Sequence, residues 1–166
     1  MLSTKSIDQI SPNSYKDFSS DIKELDEYLK RFAKGNHKKN IGKTFVLLQE
    51  EKVIGFYTIS MAIIDFNEIS EELRKGLPRY SIPVARIGRL AVDVEHQGKN
   101  MGKLLLMNAF ERIMEASTSI AAYAIVVDAK NERSKKFYER FGFFSYEENP
   151  MSLYIPMQTV EKIFNS

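Results

Sequence analysis

A polar turn between a predicted strand and a predicted helix carries the strongest chemical signal in the sequence. The strand ends near Asp93 and the helix begins within the next ten residues. The turn and first helical turn contain Gln97, Gly98, Lys99, Asn100, Met101, Gly102 and Lys103. Free N–H groups and the dipole at a helix N-terminus favour an anion, and glycine allows close approach of the backbone. The segment is a candidate pyrophosphate-binding loop, which we call the cradle. The alternative is an ordinary strand–helix connection in which the glycines only end the strand and allow the turn.

Three side chains are candidates for accepting a proton in a reaction: His96, Asp93 and Asp128. With no cysteine the chain has no thiolate nucleophile or disulfide, and His37 and His96 lie at no metal-like spacing. We therefore expect neither a metal site nor covalent catalysis by a thiol.

Positive charge is concentrated in two stretches without acidic residues. Residues 28–49 contain six lysines and arginines, and residues 73–92 contain five, although the net charge of the chain is only +2. Such clustering is typical of a face that binds a polyanion, and the alternative is a solvated helix surface.

Hydrophobic periodicity predicts the elements that position these residues. A helix is expected over 21–34, with Asp21 and Glu24 as a capping box and Gly35 as its stop. The strands are expected at 43–49, 53–64, 83–93, 121–129, 143–146 and 153–155, and further helices at 69–75, 102–117, 131–140 and 156–165. This order predicts an α/β fold (an α+β mixed sheet) with helices on both faces, in a single domain over 1–166.

The composition also bears on compartment. The longest nearly uncharged run, residues 53–64, is about half a membrane span, and the first residues lack the apolar core of a secretory signal. Together with the absence of cysteine, this predicts a cytoplasmic protein with no membrane contact.

Two motifs resemble the GNAT superfamily of N-acetyltransferases. The run Gln97-Gly-Lys-Asn-Met-Gly102, following Ile87-Gly-Arg-Leu-Ala-Val-Asp93, is similar to the coenzyme-A loop of that superfamily, and Asn131-Glu-Arg-Ser-Lys-Lys-Phe-Tyr-Glu-Arg-Phe-Gly-Phe143 is similar to its next helix and strand. Asn100 stands where the family usually has glycine, and asparagine tolerates the left-handed backbone better than most residues. The resemblance implies a GNAT fold that binds acetyl-CoA as the acetyl donor.

The resemblance also implies roles for individual residues. The 97–103 segment would hold the pyrophosphate, and the backbone of Leu90, Ala91 and Val92 would bond the pantetheine arm. Asn131 would bond pantetheine, cap its helix, or do both. Tyr138 lies where superfamily enzymes often carry a tyrosine that protonates the departing thiolate; packing between helix and sheet is its alternative role.

The N-terminal half resembles a bacterial branch of the superfamily. Glu24-Leu-Asp-Glu-Tyr-Leu-Lys-Arg-Phe-Ala-Lys34, Asn40-Ile-Gly-Lys-Thr-Phe-Val46, Gly55-Phe-Tyr-Thr-Ile-Ser60 and Gly76-Leu-Pro-Arg-Tyr80 are similar to acetyltransferase toxins of toxin–antitoxin modules.

This branch implies acetylation of the α-amino group of aminoacyl-tRNA, which blocks translation. It also implies a small DNA-binding antitoxin and a homodimer, with Lys34, Lys38, Lys39 and Arg89 as the tRNA-binding residues. The alternatives are a housekeeping acetyltransferase of a small-molecule or protein amine, and a non-catalytic coenzyme-A-binding regulator.

Overall fold

The computed structural model describes residues 1–165, in which seven strands and six α-helices occur. The strands are β1 (Leu2–Ser6), β2 (Lys43–Gln49), β3 (Lys52–Ile64), β4 (Ile82–Val92), β5 (Ala124–Asp128), β6 (Phe144–Ser145) and β7 (Ser152–Pro156). The helices are α1 (Lys23–Glu27), α2 (Ala33–Lys38), α3 (Glu71–Arg74), α4 (Met101–Ala116), α5 (Glu132–Arg140) and α6 (Met157–Asn165). A π-helical turn, Tyr28–Phe32, joins α1 to α2.

The strands form one sheet in the hydrogen-bonded order β1-β2-β3-β4-β5-β7-β6. β2 and β3 are the predicted hairpin, closed at the Gln49–Lys52 pair, and Glu50 in its turn has a φ of 60°. β7 pairs antiparallel with both β5 and β6. Sheet and helices confirm the predicted α/β class with a mixed sheet.

The chain packs as two compact units. The first contains residues 1–60 and 87–111, and the second contains residues 61–86 and those from Arg112 onward. In the first unit, the core includes Ile7, Tyr15, Phe18, Leu25, Tyr28, Leu29, Ala33, Val46, Leu48, Val53, Phe56 and Ala91. In the second, it includes Ile64, Ile69, Ile82, Val84, Ala124, Val126, Tyr146 and Tyr154.

The predicted ends of the first helix are wrong. Asp21 has a φ of 71°, and an N-cap needs an extended backbone, so the helix begins at Lys23 without a side-chain cap from Ile22. Gly35 lies inside α2 and does not end it. Asn40, with a φ of 60°, supplies the left-handed residue that follows the last turn, where Ile41 N–H donates to the Asn36 carbonyl at 3.0 Å.

The longest helix, α4, has a buried apolar face along most of its length. Leu105, Ala109 and Phe110 are buried as expected; Met107 is only half-buried, and Leu106 is buried as well. A Cβ at Gly55 would lie 2.8 Å from Leu105 Cδ1 and 3.2 Å from the Ala91 carbonyl oxygen. Glycine in β3 is therefore what allows the strand, β4 and the start of α4 to approach so closely.

The remaining elements follow the prediction with shifted ends. β5 begins at Ala124 and not at Ala121, and the strand predicted at 143–146 is reduced to Phe144–Ser145. Within the described residues 1–165, no helix is both long and apolar enough to cross a membrane.

Candidate functional site

The segment between β4 and α4 has the backbone of an anion cradle. A 3₁₀ turn, Val94–His96, is capped by Asp93, whose carboxylate accepts from Glu95 N–H at 3.0 Å. Gly98 and Asn100 then adopt φ values of 78° and 64°. Asn100 thus adopts the left-handed backbone at the position where the family usually has glycine, as expected for asparagine.

The N-terminus of α4 presents unused donors. Leu104 N–H donates to the Asn100 carbonyl at 3.2 Å, and this bond starts the helical ladder. The N–H groups of the first turn before it have no helical carbonyl within reach, so they are free for a ligand. Lys99 and Lys103 are exposed beside them. The donors, dipole and charges fit the pyrophosphate of a coenzyme-A thioester.

The Gln97 side chain makes hydrogen bonds within the chain. Its Nε2 donates to the carbonyls of Val92 at 2.9 Å and Ser20 at 3.2 Å. Gln97 therefore fixes the turn to the end of β4 and to the segment before α1, and its amide positions the cradle.

A second set of bonds fastens the same segment, and sequence reasoning missed it. Ser19 N–H donates to Asp93 Oδ2 at 3.2 Å, and Val94 N–H donates to the Ser19 carbonyl at 2.8 Å. Ser20 N–H and Oγ donate to Asp26 Oδ1 at 2.9 and 2.7 Å. Ser19 and Ser20 thus connect the cradle to α1. No local pattern marks Ser19, because its partner Asp93 lies 74 residues away in the sequence.

The three candidate proton acceptors differ in their surroundings. Both oxygens of buried Asp93 accept backbone N–H groups. Asp128 accepts from Arg86 Nη1 at 2.8 Å and from Ser152 Oγ at 2.6 Å. His96 Nε2 lies 3.0 Å from Gln49 Oε1, while its buried Nδ1 has no hydrogen-bond partner within residues 1–165 and lies 3.8 Å from Asp93 Oδ1. Both carboxylates are therefore engaged in structural bonds.

Tyr138 lies in the second unit, on α5. Its side chain is 7% exposed and its ring contacts those of Phe137 and Phe143, with centroids 5.2 and 5.3 Å away. Burial raises the pKa of the phenol above its usual value, so it stays protonated at neutral pH. In this protonated form the phenol can donate a hydrogen bond or a proton. Asn131 caps α5 by accepting from Ser134 N–H at 2.8 Å.

The predicted tRNA-binding residues lie in the first unit. Lys38 and Lys39 are exposed at the end of α2, whereas Lys34 is half-buried and its Nζ donates to the Ile10 carbonyl at 3.2 Å. Arg89, on β4, stacks over the Tyr28 ring with Cζ 3.5 Å from the centroid. Beside it on β4, Ala91 is buried and Leu90 and Val92 are half-buried.

No cluster of three or more histidine or acidic side chains suited to an ion occurs in residues 1–165.

Comparison with known proteins places these features in a family. The sequence model of the acetyltransferase (GNAT) family matches residues 7–143. A tRNA-acetylating toxin of Mycobacterium tuberculosis (strain ATCC 25618 / H37Rv) is 33% identical over 141 residues, covering 85% of this chain and 84% of the toxin.

Two solved structures are similar over nearly their whole lengths. AtaT complexed with acetyl-methionyl-tRNAfMet has a TM-score of 0.90 at 25% identity, covering 99% of both chains. AtaTR bound with AcCoA has a TM-score of 0.79 at 25% identity, covering 98% of both chains.

Proposed function

The chain belongs to the acetyltransferase (GNAT) family, and on that premise we propose that it acetylates the α-amino group of aminoacyl-tRNA as a toxin that blocks translation. The observation that carries the proposal is the match to a tRNA-acetylating toxin over most of both chains. The likeness to AtaT, solved with an acetylated aminoacyl-tRNA, supports the same acceptor.

Acetyl-CoA is the acetyl donor in this proposal. Its pyrophosphate would lie on Gly98, Lys99, Asn100, Met101, Gly102 and Lys103, with Gln97 holding the turn in place. The backbone of Leu90, Ala91 and Val92 would bond the pantetheine arm, and Asn131 would contact it while capping α5. The left-handed turn and the free N–H groups of α4 support the pyrophosphate placement.

The chemistry transfers an acetyl group from sulfur to nitrogen. The neutral amine attacks the thioester carbonyl, the carbon–sulfur bond breaks, and the amine nitrogen releases one proton to water. Tyr138 donates its phenolic proton to the departing thiolate, whose parent thiol has a pKa of about 8.5, and the phenolate then regains a proton from water. The products are the N-acetylated amine and free coenzyme A thiol. The α-amino group of an aminoacyl ester is more acidic than a lysine ammonium, so a substantial share of it is neutral without a dedicated base.

The partners follow from the same likeness. We place the protein in the cytoplasm, as one domain that forms a homodimer and is held inactive by a small DNA-binding antitoxin. Lys34, Lys38, Lys39 and Arg89 would contact the tRNA; exposed Lys38 and Lys39 are the best placed to reach phosphates. A gene for such an antitoxin beside this one would support the proposal independently.

Transfer of labelled acetyl groups tests the function directly. Purified protein is incubated with acetyl-labelled acetyl-CoA and a pool of aminoacyl-tRNA; the ester is then hydrolysed with base and the released amino acids are analysed. We expect N-acetyl amino acids, and no label on deacylated tRNA, which has the same phosphates but lacks the α-amino group of the amino acid. Label on a polyamine or a lysine peptide, with none on aminoacyl-tRNA at moderate salt, would favour a housekeeping acetyltransferase instead.

A further inference from the structure

Four side chains of the first unit form a row in which two aromatic rings lie between two arginines. Arg89 Cζ lies 3.5 Å from the Tyr28 centroid, the Tyr28 and Phe32 centroids are 6.5 Å apart with planes tilted by 33°, and Arg31 Cζ lies 5.6 Å from the Phe32 centroid. We call Arg89, Tyr28, Phe32 and Arg31 the stacked row. It begins at half-buried Arg89, passes through buried Tyr28 and ends at exposed Arg31.

The local backbone builds this row. Tyr28–Phe32 is a π-helical turn, in which the Ala33 N–H donates to the Tyr28 carbonyl. Such turns are rare and are frequent at functional sites. The Tyr28 hydroxyl accepts from Asn36 Nδ2 at 3.3 Å, which fixes the inner ring. The inner part of the row is therefore supported by contacts within the first unit.

The outer ring, Phe32, remains half open to solvent although Arg31 and Tyr28 lie beside it. Phe32 is 50% exposed, while Tyr28 is buried. Exposed Lys30, Arg31, Lys38 and Lys39 occur in the same acid-free stretch. An apolar ring among cations is complementary to a base joined to a phosphate, because bases stack on aromatic faces and phosphates bind cations.

We propose that Phe32 is a stacking platform for an unpaired base of RNA, with Arg31 binding the adjoining phosphate. The inference rests on the proposed function and deepens it, since the 3′ end of tRNA is single-stranded. A double-stranded stem has no unstacked base to offer, so the platform would select single-stranded nucleotides.

Binding of two RNAs measures the platform without any catalytic step. Fluorescence anisotropy is recorded with a short single-stranded RNA and with a blunt duplex of equal phosphate number, across a salt series. Phe32→Leu should weaken single-strand binding about 5- to 150-fold, the range for loss of one stacked base, at an unchanged salt slope. Duplex binding should not change, and Phe32→Tyr should restore single-strand affinity.

The cation gives the complementary result. Arg31→Gln should reduce the log–log salt slope by about 0.7, as expected for one lost phosphate contact on a single strand. Acetyl-CoA affinity and the melting temperature should stay at wild-type values in all three variants.

Three results would overturn the inference. If Phe32→Leu binds the single-stranded RNA as tightly as wild type does, the surface binds RNA through its charges alone and Phe32 stacks on no base. A shift of Phe32→Leu from dimer to monomer in light scattering would identify Phe32 as a contact with a second copy. If wild-type protein binds neither RNA at moderate salt, this contradicts the proposed function itself. Only that result would overturn both the proposed function and the stacking role of Phe32.

Discussion

At the scale of single residues, the hydroxyl of Tyr138 carries the sharpest prediction. Tyr138→Phe removes one oxygen and keeps the ring contacts with Phe137 and Phe143. A positioned acid contributes about 10²- to 10⁴-fold, so kcat should fall by that factor while the affinity for acetyl-CoA changes little. Steady-state kinetics with thiol release as the readout, together with calorimetric binding, checks both.

Tyr146→Phe is the matched control for this variant. Tyr146 is also buried in the second unit, and its pKa is raised to about 12, mainly by burial. Loss of that hydroxyl should leave kcat near wild type. If Tyr138→Phe turns over within threefold of wild type while its melting temperature drops, Tyr138 has the packing role that its aromatic neighbours allow.

His37 predicts a pH dependence of stability. Its Nδ1 accepts from Thr44 N–H at 3.0 Å and its Nε2 lies 2.9 Å from Ser6 Oγ, so the ring bridges α2, β2 and the end of β1. Burial lowers the pKa of His37, the Lys43 charge lowers it further, and Asp8 partly opposes both.

The sign follows from comparing the folded and unfolded states. Below about pH 6.5 the unfolded chain takes up a proton that folded His37 resists, so the free energy of unfolding falls as the pH is lowered through that range. The wild-type melting temperature should therefore drop more between pH 7.5 and 5.5 than that of His37→Gln. His96→Gln, which removes the other histidine, serves as the control; equal drops in wild type and His37→Gln would refute the assignment.

At the scale of elements, the cradle depends on the left-handed conformation of Asn100. Asn100→Gly adopts a φ of 64° freely, whereas valine is strained there by roughly 1–2 kcal/mol. We expect Asn100→Gly to keep its affinity for acetyl-CoA and Asn100→Val to lose about 5- to 30-fold by calorimetry.

A second left-handed asparagine provides the control. Asn40→Val imposes the same strain after α2, where φ is 60°, and should lower the melting temperature while leaving acetyl-CoA affinity unchanged. Equal acetyl-CoA affinity of Asn100→Val and wild type would show that the pyrophosphate lies elsewhere.

The elements also show how far the sequence alone can lead. Long periodic segments such as α4 and the β2–β3 hairpin were predicted nearly to the residue, because one apolar face dictates their period. The ends of helices were less predictable. Asp21 is a residue type that often caps a helix, but its backbone is left-handed and Ser20 bonds to Asp26, so α1 begins at Lys23. Gly35 is a residue type that often ends a helix, but it lies inside α2. The stacked row escaped prediction as well, since Arg89 meets Tyr28 only through the sheet.

At the scale of the whole molecule, the likeness to the toxin branch predicts a homodimer. Light scattering should give a mass about twice the 19.1 kDa of the chain at tens of micromolar. The apolar side chains expected near the C-terminus that could contribute to the dimer are Leu153, Ile155, Ile163 and Phe164. Leu153 and Ile155 are fully buried in the chain's own core, whereas Ile163 and Phe164 on α6 are half-buried, and we choose Phe164 for the test.

Phe164→Glu should move the mass toward that of a single chain. Gln158→Glu, an exposed position on the same helix, adds the same charge and should not. A wild-type protein found only at 19.1 kDa would rule the dimer out.

The uneven charge of the molecule gives the last prediction, which concerns the acceptor. One double variant, Lys38→Glu with Lys39→Glu, places two carboxylates in the acid-free stretch of residues 28–49. The control double variant, Lys16→Glu with Lys162→Glu, makes the same change of net charge at exposed positions outside that stretch. If phosphates bind the stretch, the first pair should lose two contacts and reduce the salt slope of tRNA binding by about 1.4 to 1.8. Acetylation of aminoacyl-tRNA should then fall sharply in that variant alone, with acetyl-CoA binding intact in both. Equal losses in the two variants would mean that only net charge matters, and undiminished acetylation by the first would point to a small amine as the acceptor.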